Sequence, residues 1–242
     1  MHRFFKMFFK TNNIGLTNEE NRHAWVKNTL LSLPAGLTIL DAGAGEQPYK
    51  KFCTHLNYIS QDFAQYDGKG DGKGLHRGEF NAKNVDIISD ITSIPLSDSS
   101  LDAILCTEVL EHVPNPIRAL TEFQRLLKPG GWLILTAPFS SLTHFAPYHY
   151  STGFSQYFYE KLLQDLNFEI IELVANGGYY DYLAQELNRL PFIVKRYSGM
   201  SMKIYDRLLI KFLLYRMNFF AQHDSGSNEL LCFGYFVKAR KL

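Results

Sequence analysis

A short apolar run that leads directly into a glycine-containing turn constrains the fold of this chain more than any other feature. Residues 37–40 (LTIL) predict a short buried strand, and residues 41–45 (DAGAG) follow it without a gap. Small residues let the backbone turn sharply here, so we predict strand, tight turn and helix in that order. Such a unit is typical of α/β domains whose first turn approaches a ligand.

The same alternation of strands and helices continues along the chain. We expect helices at 18–33 and 116–127, and further strands at 57–60, 85–89, 101–106, 132–136, 169–174 and 229–237. Strands that alternate with helices of about ten to fifteen residues indicate a mostly parallel sheet with right-handed crossovers. The sequence therefore predicts a doubly wound α/β domain.

The composition fits one large globular domain and gives no strong charge bias. Of 242 residues, 46% are hydrophobic and 20% charged, and 25 basic residues against 24 acidic ones leave a net charge of +1. No global charge therefore attracts the protein to nucleic acid or to an anionic membrane. Cys53, Cys106 and Cys232 are widely scattered, which favours reduced core thiols in a cytoplasmic protein.

Two segments lack a clear strand pattern. Residues 1–10 (MHRFFKMFFK) are too few to span a bilayer, which needs about twenty. We expect residues 1–36 to form an N-terminal helical cap, with a surface anchor at 1–10 as the alternative. The glycine-rich residues 67–78 (DGKGDGKGLHRG) predict a flexible, solvent-exposed loop, because a phosphate-binding loop would follow a strand directly.

Two glycines and one acid together indicate a ligand at the first turn. Gly43 and Gly45 let the backbone approach a ligand closely, although a purely structural turn would use the same residues. Asp62 comes 21 positions after Asp41, where an acid that ends the second strand can accept both hydroxyls of a ribose. The pairing of turn and acid indicates a nucleoside-containing cofactor.

A series of boxes along the chain resembles the motifs of the class I methyltransferases that use S-adenosylmethionine (SAM). The DAGAG turn resembles the first motif, residues 108–113 (EVLEHV) the box after strand four, and residues 127–131 (LKPGG) the turn before strand five. Asp62 matches the family's ribose-binding acid, and Asp90 with Ile91 its adenine-contact pair. The boxes cover residues 37–140, with LDAI at 101–104 as the fourth strand. The resemblance implies a Rossmann-like, seven-stranded sheet with an antiparallel final strand.

The resemblance also implies that the chain binds SAM and releases S-adenosylhomocysteine. The implied cofactor-binding residues are Asp41, Ala42, Gly43, Ala44, Gly45, Asp62, Phe63, Asp90, Ile91, Thr107 and Glu108. Gln47 stands where the family has its third glycine and Pro48 follows, which puts the start of the next helix in question. Gln61 replaces the usual glycine or valine before the acid and leaves the carboxylate in place.

Two other classes of protein share part of this pattern. A nicotinamide-dependent dehydrogenase also has a glycine-rich turn after its first strand, but the EVLEH and LKPGG boxes resemble nothing in that class. A non-catalytic, SAM-binding regulatory subunit would keep all the cofactor motifs. Turnover on an acceptor separates this last alternative from an enzyme.

Three histidines follow the predicted fourth and fifth strands. Methyl transfer from a sulfonium needs positioning more than a universal catalytic residue, but a hydroxyl acceptor requires a base, for which imidazole is suited. His112, His144 and His149 are therefore the candidate catalytic residues, with loop packing as the alternative. Tyr148 and Tyr150 are candidate substrate-binding residues. We predict no metal site, because no cluster has convincing ligand spacing.

The segment after strand five suggests an acceptor class. Residues 144–150 (HFAPYHY), followed by Thr152 and Gly153, resemble a segment of bacterial methyltransferases of surface-glycan and secondary-metabolite pathways. This likeness implies an O or N atom of a small molecule or sugar derivative as acceptor. No basic stripe with interleaved aromatic residues runs over the core, so we expect no nucleic-acid partner.

The C-terminal third contains more chain than this fold needs. We expect a SAM-binding core at 37–178, a helical insertion at 179–226 and a final strand within 227–242. The insertion is too long for a structureless loop and predicts two or three helices that form a lid or a homodimer interface. Its basic residues leave a weak membrane-surface contact as the alternative. Its predicted buried faces are Leu183, Leu187, Leu190, Ile193 and Val194, and Ile204, Leu208, Leu209, Phe212 and Leu213.

Overall fold

The computed structural model describes residues 13–76 and 78–242, so the predicted cap or anchor at 1–10 lies outside the described residues. The helices are α1 (Asn18–Leu31), α2 (Pro116–Leu126), α3 (Gln156–Asp165), α4 (Tyr179–Ser198) and α5 (Ile204–Ala221). The strands are β1 (Thr38–Ala42), β2 (Asn57–Asp62), β3 (Ile87–Ile88), β4 (Leu101–Thr107), β5 (Leu127–Pro138), β6 (Phe168–Asn176) and β7 (Gly234–Lys241).

The strands form one seven-stranded sheet in the order β3-β2-β1-β4-β5-β7-β6. Strands β1 to β5 pair in parallel, and β7 runs antiparallel to β5. The predicted Rossmann-like fold with an antiparallel final strand is confirmed. The chain reverses its direction across the sheet between β1 and β4, so their carboxyl ends border the crevice where this fold binds ligands.

Helix α1 packs against the middle of the sheet. Val26 and Leu30 lie one turn apart on one face of the helix and are fully buried. They join a cluster with Ile39 of β1, Leu105 of β4 and Ile134 of β5. Central strands covered in this way are apolar along their length, which explains why LTIL and LDAIL were readable as strands.

The turn after β1 does not lead directly into an α-helix, so that prediction is wrong. The chain forms only a 3-10 turn, Lys50–Phe52. Gln47 has a φ of 57°, and Pro48 after it lacks a backbone N–H to donate within a helix. Gln47, which replaces the family's third glycine, and Pro48 therefore stand at the point where the predicted helix does not begin.

Three strand boundaries also differ from the prediction. The final strand is Gly234–Lys241 rather than 229–237, because Ser227–Glu229 forms a 3-10 turn and the basic end of the chain pairs with β5 instead. Strand β3 has only two residues. Strand β5 begins at Leu127 rather than Trp132, with a register shift where the LKPGG residues bulge from the ladder.

The chain divides into two compact units, one of residues 13–21 with 175–233 and one of residues 22–174 with 234–242. We call them the helical unit and the sheet unit. Cys53, Cys106 and Cys232 are buried and form no disulfide, as expected for reduced core thiols. No helix in the described part of the chain is both long and apolar enough to cross a membrane.

Within the helical unit, α4 and α5 occupy most of residues 179–221. Their rings meet at Tyr180 and Phe220, whose centroids are 5.7 Å apart. Neither predicted apolar face is buried among the described residues: Leu190 on α4 is exposed, and Leu208 and Leu209 on α5 are both more than half exposed. Helical spacing shows that a face is apolar, but it does not show what covers it.

Candidate active site

The turn after β1 is fixed by the end of β2. Gly43 and Gly45 have φ angles of 74° and 52°, in the left-handed region that favours glycine. The backbone N–H groups of Gly43 and Ala44 donate to the Gln61 carbonyl at 2.9 and 2.8 Å. The Gly45 N–H donates to Asp62 Oδ2 at 2.9 Å. The predicted glycine turn and the predicted acid therefore meet at one edge of the sheet.

Asp62 is a buried carboxylate held by backbone N–H groups. Its Oδ1 accepts from the Ala64 N–H at 2.8 Å, and the carboxylate keeps lone-pair capacity for a further donor. Burial raises the pKa of Asp62, and the N–H donors of Ala64 and Gly45 oppose that rise. The ring of Phe63, the next residue, meets the edge of Tyr148 with centroids 5.0 Å apart.

Two apolar side chains cover the glycine turn, and the sequence interpretation missed both. A Cβ on Gly43 would lie 2.4 Å from Val109 Cγ2, and one on Gly45 would lie 2.9 Å from Phe80 Cζ. Real Cβ atoms do not approach so closely. These positions therefore need glycine for two reasons: there is no room for a side chain, and the φ angles are positive. Val109 is inside the EVLEH box, which was the available signal, whereas nothing in the sequence marked Phe80.

Asp41 serves the interior rather than the crevice. Tyr58 Oη donates to Asp41 Oδ2 at 2.6 Å, and the carboxylate is almost fully buried. Burial raises the pKa of Asp41 to about 7, with the Tyr58 hydrogen bond opposing the rise and the charge of Asp62 adding to it. Ala42 and Ala44 beside it are also buried.

The predicted adenine-contact pair follows β3. Asp90 is exposed, and its Oδ1 accepts from the N–H and the hydroxyl of Thr92, both at 2.8 Å. Ile91 is buried. The segment is tied to β2 because Gln61 Nε2 donates to the Ser89 carbonyl at 2.7 Å. The Asp90 side chain thus stabilises the local turn. Ile91 is the buried, apolar member of the pair.

Thr107 ends β4, and Glu108 follows it with a φ of 54°. Arg22 Nη1 of α1 donates to Glu108 Oε2 at 3.0 Å, and Thr136 Oγ1 donates to Glu108 Oε1 at 2.9 Å. Arg22 had no sequence signal, because it lies 86 positions from its partner. The pair anchors the EVLEH box to the first helix of the sheet unit.

The structure brings the three candidate histidines into one cluster. Ring centroids are 4.6 Å apart for His112 and His144, 4.9 Å for His144 and His149, and 6.0 Å for His112 and His149. Glu111 lies beneath them in the 3-10 turn Leu110–His112 and is fully buried. The sequence interpretation gave Glu111 no role, although it stands in the EVLEH box.

Burial dominates the electrostatics of this cluster. It raises the pKa of Glu111 well above its usual range, and the nearby charge of Glu108 adds to the effect. Burial and the neighbouring His144 lower the pKa of His112 to about 3. The same two causes lower the pKa of His149. His112 is therefore neutral at neutral pH and a weak proton acceptor.

The two candidate substrate-binding tyrosines separate. Tyr148 borders a cavity of about 300 Å³, whereas the side chain of Tyr150 is exposed and its N–H donates to the Glu111 carbonyl at 2.9 Å. The remaining residues around the cavity are Gln65, Tyr66, Asp67, Gly70, Asp71 and Pro147.

The glycine-rich loop at 67–78 forms one wall of this cavity, so the prediction of a free solvent excursion is wrong in part. Asp67, Lys69, Asp71 and Lys73 are exposed, but the N–H of Asp71 donates to the Ala146 carbonyl at 3.2 Å. The N–H of Leu75 donates to the Thr143 carbonyl at 2.8 Å. The loop therefore pairs with the segment that carries His144 and Tyr148.

The parallel sheet with an antiparallel β7, and a glycine turn tied to an acid after β2, define a Rossmann-like methyltransferase fold. The chain belongs to the family described as "Methyltransferase domain", whose model matches residues 17–173. A demethylmenaquinone methyltransferase of Renibacterium salmoninarum is 30% identical over 161 residues, which cover 64% of this chain and 61% of that protein. An uncharacterized methyltransferase of Mycobacterium sp. (strain KMS) is 31% identical over 46% of each chain. These matches span less than two thirds of either relative.

Solved structures share the fold at low sequence identity. A SAM-dependent methyltransferase from Archaeoglobus fulgidus superposes with a TM-score of 0.55 at 16% identity, over 92% of this chain and 94% of that one. Phosphoethanolamine N-methyltransferase 2 of Haemonchus contortus, in complex with S-adenosyl-L-methionine, gives 0.51 at 15% identity, over 91% and 52%. At these identities the likeness concerns the fold alone.

Proposed function

We propose that this chain is a SAM-dependent methyltransferase that moves a methyl group to an O or N atom of a small molecule or sugar derivative. The observation that carries the proposal is the hydrogen bond from Gly45, in the glycine turn after β1, to Asp62 at the end of β2. An acid in this position accepts ribose hydroxyls, while the glycines admit the rest of the nucleoside. Membership of the methyltransferase family supports the same cofactor.

The predicted cofactor residues divide by role in this proposal. Asp62 binds the ribose, Ile91 packs on the adenine, and Gly43, Ala44 and Gly45 present backbone to the cofactor. Asp41 and Ala42 hold the end of β1 in place beneath the turn. Phe63, Asp90, Thr107 and Glu108 border the same edge of the sheet.

The acceptor side of the proposed site is the histidine cluster with the cavity beside Tyr148. One relative is named for demethylmenaquinone, which supports a small-molecule acceptor. The cavity volume of about 300 Å³ is at the lower end of the range for small-ligand pockets. A cytoplasmic location, and a lid or dimer role for residues 179–226, belong to this proposal as expectations.

In the proposed reaction, a lone pair of the acceptor atom attacks the methyl carbon of SAM in line with the departing sulfur. The C–S bond breaks, and S-adenosylhomocysteine leaves with the electron pair on sulfur. A hydroxyl acceptor also gives up its proton, and a ring nitrogen of at least one of His112, His144 and His149 accepts it. Most of the acceleration comes from positioning and from exclusion of water.

The test combines calorimetry with an acceptor screen. The purified chain should bind SAM at one site, and labelled SAM should transfer its methyl group to an acceptor that mass spectrometry then locates. Alanine variants of His112, His144 and His149 should retain SAM affinity, and at least one should lose turnover. Absence of SAM binding contradicts the proposal. Binding without turnover on any acceptor supports the non-catalytic subunit instead.

A further inference from the structure

Glu111 is an anomaly inside the sheet unit. Its side chain is fully buried, and neither Oε1 nor Oε2 has a hydrogen-bond partner within the described chain. Buried carboxylates are normally satisfied by donors or by a cation, because burial removes the hydration that stabilises them. Among the described residues, Glu111 therefore lacks the partner that a buried carboxyl group normally has.

Two imidazole nitrogens face this carboxylate. His112 Nε2 lies 3.7 Å and His144 Nε2 lies 3.8 Å from Glu111 Oε1. These distances are too long for hydrogen bonds. One ligand atom from each of the three residues can be chosen so that all lie within 4.8 Å of one another.

The other nitrogen of each ring fixes its tautomer. His112 Nδ1 lies 2.6 Å from the Tyr148 carbonyl oxygen, and His144 Nδ1 lies 2.9 Å from the Leu142 carbonyl oxygen. A carbonyl only accepts, so each Nδ1 carries the proton when the ring is neutral. Each Nε2 then carries a lone pair, at 3.7 Å (His112) and 3.8 Å (His144) from Glu111 Oε1. Metal-binding histidines are commonly held in this way, with the second ring nitrogen donating to a backbone carbonyl.

We propose that Glu111, His112 and His144 bind one divalent first-row transition-metal ion. Two imidazoles and one carboxylate suit such ions, whereas Mg²⁺ prefers oxygen ligands throughout. Neighbouring ligands around a tetrahedral ion lie about 3.4 Å apart. The separations of 3.7 and 3.8 Å between the two imidazole nitrogens and Glu111 Oε1 are close to this spacing. His144 is partly exposed, which leaves open positions on the ion for water or a substrate oxygen.

The site predicts a role in the reaction that rests on the proposed methyltransferase function. An ion held by Glu111, His112 and His144 would bind an acceptor hydroxyl and lower its pKa, so that His149, the histidine of the cluster that does not bind the ion, would suffice to take the proton. Metal binding itself follows from the three side chains alone. It can therefore be tested separately from SAM binding and turnover.

The experiment uses the full chain after treatment with a chelator. Calorimetry with Zn²⁺ should give one ion per chain, and Co²⁺ should give the visible absorption of a site with nitrogen and oxygen ligands. Mg²⁺ at the same concentration should neither bind nor displace Co²⁺. Failure of Zn²⁺ and Co²⁺ to bind at one ion per chain, or a preference for Mg²⁺, overturns the proposal.

Variants locate the site. Glu111→Gln and His144→Ala should each weaken Zn²⁺ binding by roughly tenfold or more, because each removes one of three ligands. His55→Ala is the control, because His55 belongs to the same unit and its Nε2 lies 3.1 Å from the Leu33 carbonyl oxygen, outside the cluster. It should leave the affinity within about twofold. Zn²⁺ binding that is equally strong in Glu111→Gln overturns the proposal.

A stability measurement keeps the test valid where a variant folds poorly. Zn²⁺ should raise the thermal midpoint of the wild type and not that of Glu111→Gln. Without metal, Glu111→Gln should be at least as stable as the wild type, since it removes a buried acid whose oxygens accept no hydrogen bond from the described residues. A metal-free Glu111→Gln protein that unfolds at lower temperature, and still gains stability from Zn²⁺, contradicts the assignment of Glu111.

Discussion

The Gly45 N–H donates to Asp62 Oδ2 at 2.9 Å, so the residue that closes the turn after β1 is held by the acid that ends β2. These residues are 17 positions apart, and the hydrogen bond spans two adjacent parallel strands. The acid thus has two tasks in our proposal. It orders the glycine turn, and its remaining lone pairs accept the ribose hydroxyls of SAM.

Asp62→Ala should weaken SAM binding by about 1 to 3 kcal/mol, because a charged acceptor of the ribose hydroxyls is lost. It should also lower the thermal midpoint, since the N–H groups of Gly45 and Ala64 lose their acceptor. Asp62→Asn keeps one carbonyl oxygen and should fall between the wild type and Asp62→Ala. Calorimetry on folded variants checks this, and unchanged SAM affinity in Asp62→Ala would refute the assignment.

Gly43→Ala should destabilise the protein and reduce SAM binding, because its Cβ meets Val109 Cγ2 and its φ is 74°. The paired variant Gly43→Ala with Val109→Ala removes the collision but keeps the left-handed backbone, which costs about 1 to 2 kcal/mol. We therefore expect partial recovery of stability in the pair, measured by urea unfolding. No recovery at all would show that the steric contact with Val109 is unimportant.

Asp41 should make the metal-free and SAM-free protein less stable as the pH rises. Its pKa is about 7 in the folded protein, against an ordinary value of 3.8. Protonated Asp41 therefore makes its full contribution to the free energy of unfolding below pH 3.8, and this contribution is lost as the pH rises through 7. The free energy of unfolding of Asp41→Asn, relative to that of the wild type, should therefore increase by about 2 to 3 kcal/mol as the pH rises from about 5 to about 8. Chemical denaturation at the two pH values measures this difference.

Asp86→Asn is the control for this pH dependence. Hydrogen bonds from Ser60 lower the pKa of Asp86, so this carboxylate stays ionised at both pH values and the effect of the substitution should be the same at each. An Asp41→Asn protein whose advantage does not grow with pH would contradict the raised pKa of Asp41.

The ion pair between Arg22 and Glu108 should show strong coupling. Arg22→Met should cost about 1 to 3 kcal/mol of the free energy of unfolding, since it removes the cation that pairs with the partly buried Glu108. In the Arg22→Met background, Glu108→Gln should remove most of that penalty. The double variant should therefore lose less free energy of unfolding than the two single variants lose in total. A double-mutant cycle by chemical denaturation measures the coupling, and additive effects would contradict it.

Much of the sheet and part of the site were readable from the sequence, for physical reasons specific to those residues. The apolar strands β1 and β4 and the amphipathic α2 follow from local patterns, and the glycine turn from the φ angles that Gly43 and Gly45 adopt. The missing helix after the turn and the shifted β7 were not readable. The left-handed conformation of Gln47 prevents the helix after the turn, and pairing with β5 sets the position of β7.

The sequence by itself determined the α/β class, the order of the strands along the chain and the carboxylate and glycines of the first turn, because these depend on short-range patterns. Only the tertiary structure brought Arg22 to Glu108, placed His144 beside His112, and buried Glu111 beneath them with no hydrogen bond from the described residues to its carboxylate. Those contacts join residues up to 86 positions apart, and such proximity is set by how the strands are ordered in the sheet. No local pattern in the chain carries that information.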